Sequence, residues 1–340
     1  MKKKVFFILI IFIVMIGQIH PLKMKIGSVA PKNSPWDKAL RELGREWNSI
    51  SNGLIDLVIY PDGIAGTEED MIRKMKFGIL GGAVFANTGI TKIYSDFYVF
   101  NIPFTFDSEE EFRYTTKKMN PYFEAEIEKK GYKVILWSMA GWLNIFSKNK
   151  IEYPKDLKSH KISFTTGEPK MERVWKESGY QVIPNDLSDL MMGLQTGMVN
   201  AFFLPPLVTA SGQYFPLAKN MLDLKITPVY GGIVLSNKIW KKIPDKYKEK
   251  LIASANRISE ELNKKIKSLE VDAIKVMVKN GLKIIPTPEE SMAKWRETSA
   301  EGINLLINKV FSKRIYDQMI AFIKEYRKKN KSMQSRWSAL

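Results

Sequence analysis

The sequence predicts an α/β protein of two domains braced by one long shared helix, and three observations carry that expectation. The chain has 340 residues, more than one ordinary hydrophobic core organises. From Lys25 onward, short apolar runs alternate with helical periodicities, the rhythm of parallel sheets with crossover helices. From Asp245 to Lys279 apolar residues recur every three or four positions: Tyr247, Leu251, Ala255, Ile258, Leu262, Ile266, Leu269 and Ala273. A helix of that length runs about 50 Å at 1.5 Å per residue, further than one domain needs.

Each element follows from local chemistry. KMKIGSVAP reads as a short buried strand ended by Pro31. In SPWDKALRELGREWNSISNG, Ser34 caps a helix, Pro35 fills its first position and Gly53 stops it, while Trp36, Leu40, Leu43 and Trp47 share a face. LIDLVIYPDG is a strand closed by a Pro-Asp-Gly turn. TEEDMIRKMKFG carries acids in its first turn and bases in its last, matching the helix dipole. GGAVFANTG is another short strand, whose glycines allow a ligand or neighbour to approach closely. A second block starts near YKVILWSMAGW and runs through HKISFTT, MERVWKESGYQVIP, LSDLMMGLQTG and MVNAFFLP. In KISFTT, Ile162 and Phe164 point to one side of the strand, Ser163 and Thr165 to the other. Residues 302–329 read as a last amphipathic helix.

The N-terminus, MKKKVFFILIIFIVMIGQIHPLK, has three lysines and then an apolar run over residues 5–17. That run is short for a bilayer span and suits the core of an export signal, either cleaved or kept as an anchor. The chain has no cysteine, so lipid attachment to cysteine and disulfides are both excluded. Hydrophobic residues at 45% and charged residues at 26% fit a soluble globular chain. The net charge of +17 is scattered among acids, and only EYRKKNKSMQSRW is locally basic. A lysine-rich solvated surface explains it without nucleic acid.

Catalytic patterns are missing. With His20 and His160 as the two histidines, no zinc pattern can be assembled, and His160 reads as a solvent-facing turn residue. No GxSxG or Walker loop is present, and Glu68-Glu69 and Glu109-Glu110-Glu111 lie at helix starts, where capping and dipole effects explain them. The sequence argues for no enzyme and no cofactor.

KIGSVAPKNSPW, IYPDGIAGTEEDM, FNIPFTF, YPKDLKSHKIS, LMMGLQTGMVNAFFLPP and IVLSNKIW occur in that order. Together they resemble the periplasmic solute-binding proteins of TRAP (tripartite ATP-independent periplasmic) transporters, the DctP family, over residues 25 to about 328. The resemblance implies a two-lobed periplasmic binding protein fold with a long bracing helix and ligand held in the cleft. It divides the chain into a signal peptide or anchor at 1–21, lobe I at 22–144 plus 231–272, and lobe II at 145–230 plus 273–340 with the C-terminal helices. It implies a periplasmic location, TRAP membrane permease subunits as partners and a small-molecule ligand.

The departures from the family pattern shape the expected ligand. The arginine that clamps a substrate carboxylate after the DLKGLK-type motif aligns with Ser163, and a second frequent arginine with Leu143. The usual Asn after the LQTG motif aligns with Leu204 and an aromatic with Leu187. A polar position after the first strand aligns with Val29, and a commonly acidic or polar one with Asn87. Losing a charge-assisted hydrogen bond costs about 1.5–3 kcal/mol. Burying roughly 250 Å² of apolar ligand surface would return about 6 kcal/mol before ordering costs. The expectation is therefore a hydrophobic or weakly polar ligand held by Val29, Asn87, Leu143, Ser163, Leu187 and Leu204. A branch of the family that works with a tetratricopeptide-repeat partner also lacks the arginine, and the chain resembles it in that respect. The alternative is a non-transporting scaffold held at the membrane with a partner protein.

Overall fold

The computed structural model of the protein describes residues 21–165 and 169–337; the expected signal segment lies outside them. Strand β1 (Leu22–Ser28), helix α1 (Pro35–Ile50), strand β2 (Ile55–Tyr60), helix α2 (Glu68–Lys76) and strand β3 (Gly82–Phe85) follow the predicted alternation. The Ser34 hydroxyl accepts from Asp37 N–H at 3.3 Å, and α1 buries Leu40, Leu43 and Trp47. Thr67 and Asp70 close a reciprocal cap at the start of α2. Helix α3 (Asn87–Ile93), a 3₁₀ segment (Ser95–Asn101), α4 (Glu109–Lys129) and β4 (Tyr132–Trp142) come next. The late strand β10 (Pro228–Ser236) completes a mixed sheet of order β2-β1-β3-β10-β4, antiparallel to both β3 and β4. Strand β4, which the local rhythm puts at the head of the second block and the family resemblance puts in lobe I, finishes the first sheet. Gly82 is required there: a Cβ on it would sit 2.6 Å from the Val234 carbonyl oxygen of β10.

The second sheet holds β5 (Asn144–Ser147), β6 (Lys161–Phe164), β7 (Gln181–Pro184), β8 (Ala201–Leu204), β9 (Asn220–Leu222) and β11 (Lys283–Ile285), in the order β11-β9-β5-β8-β6-β7. Its helices are α5 (Pro154–Leu157), α6 (Pro169–Glu177), α7 (Leu190–Thr196) and α8 (Pro206–Ser211). The chain passes between the sheets at Leu143, again between β9 and β10, and a third time along a helix. After the short α9 (Asn237–Trp240), α10 (Asp245–Lys279) occupies the predicted span. Its first half buries Leu251, Ala255 and Ile258 in the core behind the first sheet, and Ile274 and Met277 join a core of the second. Trp47 fastens the first half, its indole N–H donating to the Leu251 carbonyl at 3.1 Å. Leu269, on the predicted apolar row, is exposed.

Two expectations are corrected at the C-terminus. The single helix predicted over 302–329 is two, α11 (Glu289–Leu306) and α12 (Lys313–Trp337). Between them Asn308 adopts φ 62°, and Asp96 accepts from the Ser312 N–H at 2.6 Å and the Ser312 hydroxyl at 2.8 Å, pinning the break to the 3₁₀ segment. Helix α12, grouped with the second lobe on sequence, packs instead on α4: Ile315, Met319 and Ile323 share a core with Phe112, Met119 and Phe123. His160 is corrected too. It is buried, with Nδ1 2.9 Å from the Asp156 carbonyl oxygen, because the turn before β6 folds back on α5.

Candidate functional site

A cavity of about 1110 Å³ opens between the two sheets. It sits beyond the carboxyl ends of β6 and β8, where residues from both faces of these short strands reach it, a common location for ligands in open α/β sheets. Ile162 and Phe164 pack to one side with Trp175 and Phe203, while Leu187 and Leu204 belong to the core on the other. The cavity meets Ile162 and Phe164 as well as Ser163 and Thr165.

All six residues singled out from the sequence line this cavity: Val29, Asn87, Leu143, Ser163, Leu187 and Leu204. Their settings differ. Val29, after β1, packs against the core of the first sheet. Leu143 is the crossing residue itself; its N–H donates to the Thr227 carbonyl at 2.9 Å and its carbonyl accepts from Ile226 N–H at 3.0 Å. Leu204 lies opposite Asn144 in the pairing of β5 with β8. The Ser163 hydroxyl donates to the Asn185 carbonyl at 2.9 Å. Asn87 is buried and its amide is committed to the protein. Its Nδ2 donates to the Asn101 side chain and to the Pro228 carbonyl, and its Oδ1 accepts from Tyr230 N–H at 2.6 Å. That side chain ties the start of α3 to β10, so its contribution to the cavity is a surface rather than a free polar group.

Sequence reasoning missed other wall residues. Phe164, Trp175, Tyr180 and Phe203 form an aromatic group, with Trp175 ring centroids 5.0 Å from Tyr180 and 5.7 Å from Phe203. Their apolar spacing is the same as that of core residues, so no local signal distinguishes them. Helix α11 supplies a further wall with Trp295, Ile303 and Leu306.

Glu68, read as a helix-start residue, is also a wall residue and is buried. One carboxylate oxygen accepts the Ala86 N–H at 2.7 Å and the other the Thr88 hydroxyl. Burial pushes its carboxyl above the usual range, against the opposing pull of those hydrogen bonds and of Lys92. Lys92 is itself paired with Glu69 at 3.0 Å. Lys155, Lys158 and Lys294 line the cavity as exposed side chains, and Lys294 pairs with Glu297 at 2.9 Å. Among the described residues, no arginine lines the cavity.

A two-sheet molecule with a cleft at its crossings has the geometry of a binding protein, and comparison with known proteins decides which kind. Residues 26–309 match the model of the DctP family, described as bacterial extracellular solute-binding protein, family 7. The chain belongs to this family. It is a TRAP solute-binding receptor and not an enzyme.

Several known proteins are similar to it at low identity. The 2,3-diketo-L-gulonate-binding periplasmic protein YiaO of Escherichia coli K12 is 22% identical over 239 residues, covering 69% of this chain and 72% of that protein. The structure of the sugar acid binding protein DctPAm of Advenella mimigardefordensis, in complex with galactonate, superposes with a TM-score of 0.84. It shares 19% identity and covers 91% of this chain and 99% of the other. A TRAP periplasmic solute-binding protein of Sulfurospirillum deleyianum with bound succinate gives a TM-score of 0.81 at 17% identity, covering 88% and 98% of the two chains. These likenesses establish a shared two-lobed fold.

Proposed function

We propose that this receptor captures a hydrophobic or weakly polar small molecule in the cleft between its sheets and delivers it to TRAP permease subunits in the membrane. The relatives crystallised with galactonate and succinate hold carboxylates, and this chain departs from that chemistry at the wall of its cavity. The observation that carries the reading is that no arginine among the described residues lines the cavity, and that Ser163, where the family resemblance implies a carboxylate-binding arginine, has a hydroxyl that donates to a backbone carbonyl. Against the wall of Leu143, Leu187, Leu204, Phe203 and Trp175 a carboxylate would give up hydration, and the lysines of the lining are either exposed to solvent or, for Lys92, already paired with Glu69. An apolar body gains by the same exchange.

Export by the N-terminal segment, its cleavage or retention as a tether, and a tetratricopeptide-repeat partner belong to the same proposal. Calorimetry and native mass spectrometry with organic acids and with lipids test the ligand class. Apolar compounds are expected to bind, and tight binding of a small dicarboxylate would overturn the reading.

A further inference from the structure

Two hydroxyls in the cavity wall, on Ser163 of β6 and on Thr227 at the crossing before β10, share one hydrogen-bonding polarity. A hydroxyl group carries one proton to donate and lone pairs to accept with. The Ser163 hydroxyl commits its proton to the Asn185 carbonyl at 2.9 Å, and the buried Thr227 hydroxyl commits its own to the Phe100 carbonyl at 2.9 Å. Carbonyl oxygens only accept, so neither proton is available to a ligand unless a buried carbonyl is left bare. The backbone beside Thr227 is also used: Leu143 N–H donates to Thr227 O, and Ile226 N–H donates to Leu143 O. Leu143 and Leu204 supply the remaining surface. What this patch offers to an occupant is oxygen lone pairs framed by leucine.

Resting on the apolar-cleft reading above, we propose that the ligand bears a neutral hydrogen-bond donor, an alcohol hydroxyl on an apolar body, and that Ser163 and Thr227 are the residues that read it. A carboxylate at this patch would face lone pairs with no proton between them. An ammonium would lose its hydration shell among leucines, and the patch itself supplies no counter-charge. An alcohol donates its proton to either oxygen and sheds far less hydration. Of the lysines in the lining, Lys92 is largely buried and paired with Glu69 at 3.0 Å, while Lys155, Lys158 and Lys294 are exposed side chains that stay hydrated and offer an anion only screened attraction.

The experiment measures four compounds that share one body, propylbenzene, 3-phenylpropanol, 3-phenylpropionate and 3-phenylpropylammonium, by calorimetry and by displacement of an apolar dye from the full chain. The alcohol is expected to bind about tenfold more tightly than the hydrocarbon and the two ions, the worth of one well-made hydrogen bond away from water. Ser163→Ala and Thr227→Val, each checked for native circular dichroism, are expected to lower the ratio of alcohol to hydrocarbon affinity by about fivefold. Equal binding of alcohol and hydrocarbon overturns the donor proposal and leaves the apolar cleft standing. Tightest binding of the carboxylate overturns both. Tightest binding of the ammonium overturns the neutral donor, and failure of all four to bind removes the apolar reading together with the proposal.

Discussion

Ser163 occupies a short strand whose neighbouring residues serve the core, and its hydroxyl is already satisfied at 2.9 Å by Asn185. Replacing it changes the chemistry of the cavity wall and also removes the donor to the buried Asn185 carbonyl, so the variant is first checked for native circular dichroism. Ser163→Arg places a planar guanidinium where none lines the cavity, and bidentate pairing with a carboxylate is worth about 1.5–3 kcal/mol. A small sugar acid such as galactonate should gain roughly tenfold or more in affinity over the unmodified protein, read by calorimetry. Glu68 gives a second test at this scale. Burial lifts its carboxyl above the ordinary value of 4.5, so the folded protein holds that proton more firmly than the unfolded chain does. Stability from this group is fully present below the unfolded value and is lost as pH rises through the elevated folded one. Glu68→Gln stays neutral throughout, so its stability relative to the unmodified protein should improve from the acid to the alkaline end of the titration, as pH rises above the ordinary carboxylate value. Urea unfolding at both ends checks the sign, and an unchanged difference would mean that Glu68 does not titrate with folding.

At the scale of elements, the brace and the C-terminal helix hold the walls of the cavity in place. Helix α10 reaches the second-sheet core through Met277, which is fully buried. Truncating a buried methionine removes its transfer free energy and leaves a partial cavity, so Met277→Ala should cost about 2–5 kcal/mol in denaturant unfolding. Helix α12 is fixed to α4 by its apolar row and by Arg327, which pairs with the buried Glu111 at 2.6 Å and with Asp107 at 2.8 Å. Glu111 also accepts the Asp107 N–H at 2.7 Å. Arg327 is itself nearly half exposed, so Arg327→Ala, which leaves the Glu111 carboxylate without its cation, is expected to cost about 1.5–3 kcal/mol, above that of a fully exposed pair. A change below about 1 kcal/mol would show that Glu111 is hydrated once the arginine is gone.

For the whole molecule, what was readable in the sequence was what short-range chemistry determines. The bounds of α10 follow from an amphipathic period within the helix itself, and the cap of α1 from Ser34 and Pro35. The alternation of strands and helices alone puts β4 at the head of the second block, because its partner β10 arrives some ninety residues later and pairing over such a separation leaves no local mark. The family resemblance keeps β4 and most of β10 in the first lobe. The break between α11 and α12 depends on Asp96, over two hundred residues before Ser312. The aromatic wall looked like core because in composition it is core. The same long-range assembly makes the cleft testable as a moving part. Gly63, on the first-sheet side, comes so close to the loop before α7 that a Cβ on it would lie 3.1 Å from Ser188 Cβ. Disulfides join Cβ atoms about 3.5–4.5 Å apart, within a small adjustment of this contact. Gly63 has φ 71°, which a cysteine tolerates at a cost of about 1–2 kcal/mol. Because the chain has no native cysteine, Gly63→Cys with Ser188→Cys gives one possible bridge. If ligand exchange requires the two sides to part, oxidation should slow release of a bound apolar dye by about tenfold or more, and reduction should restore it. Unchanged release with the bridge confirmed by mass spectrometry would mean that ligand leaves by a route that does not open this contact.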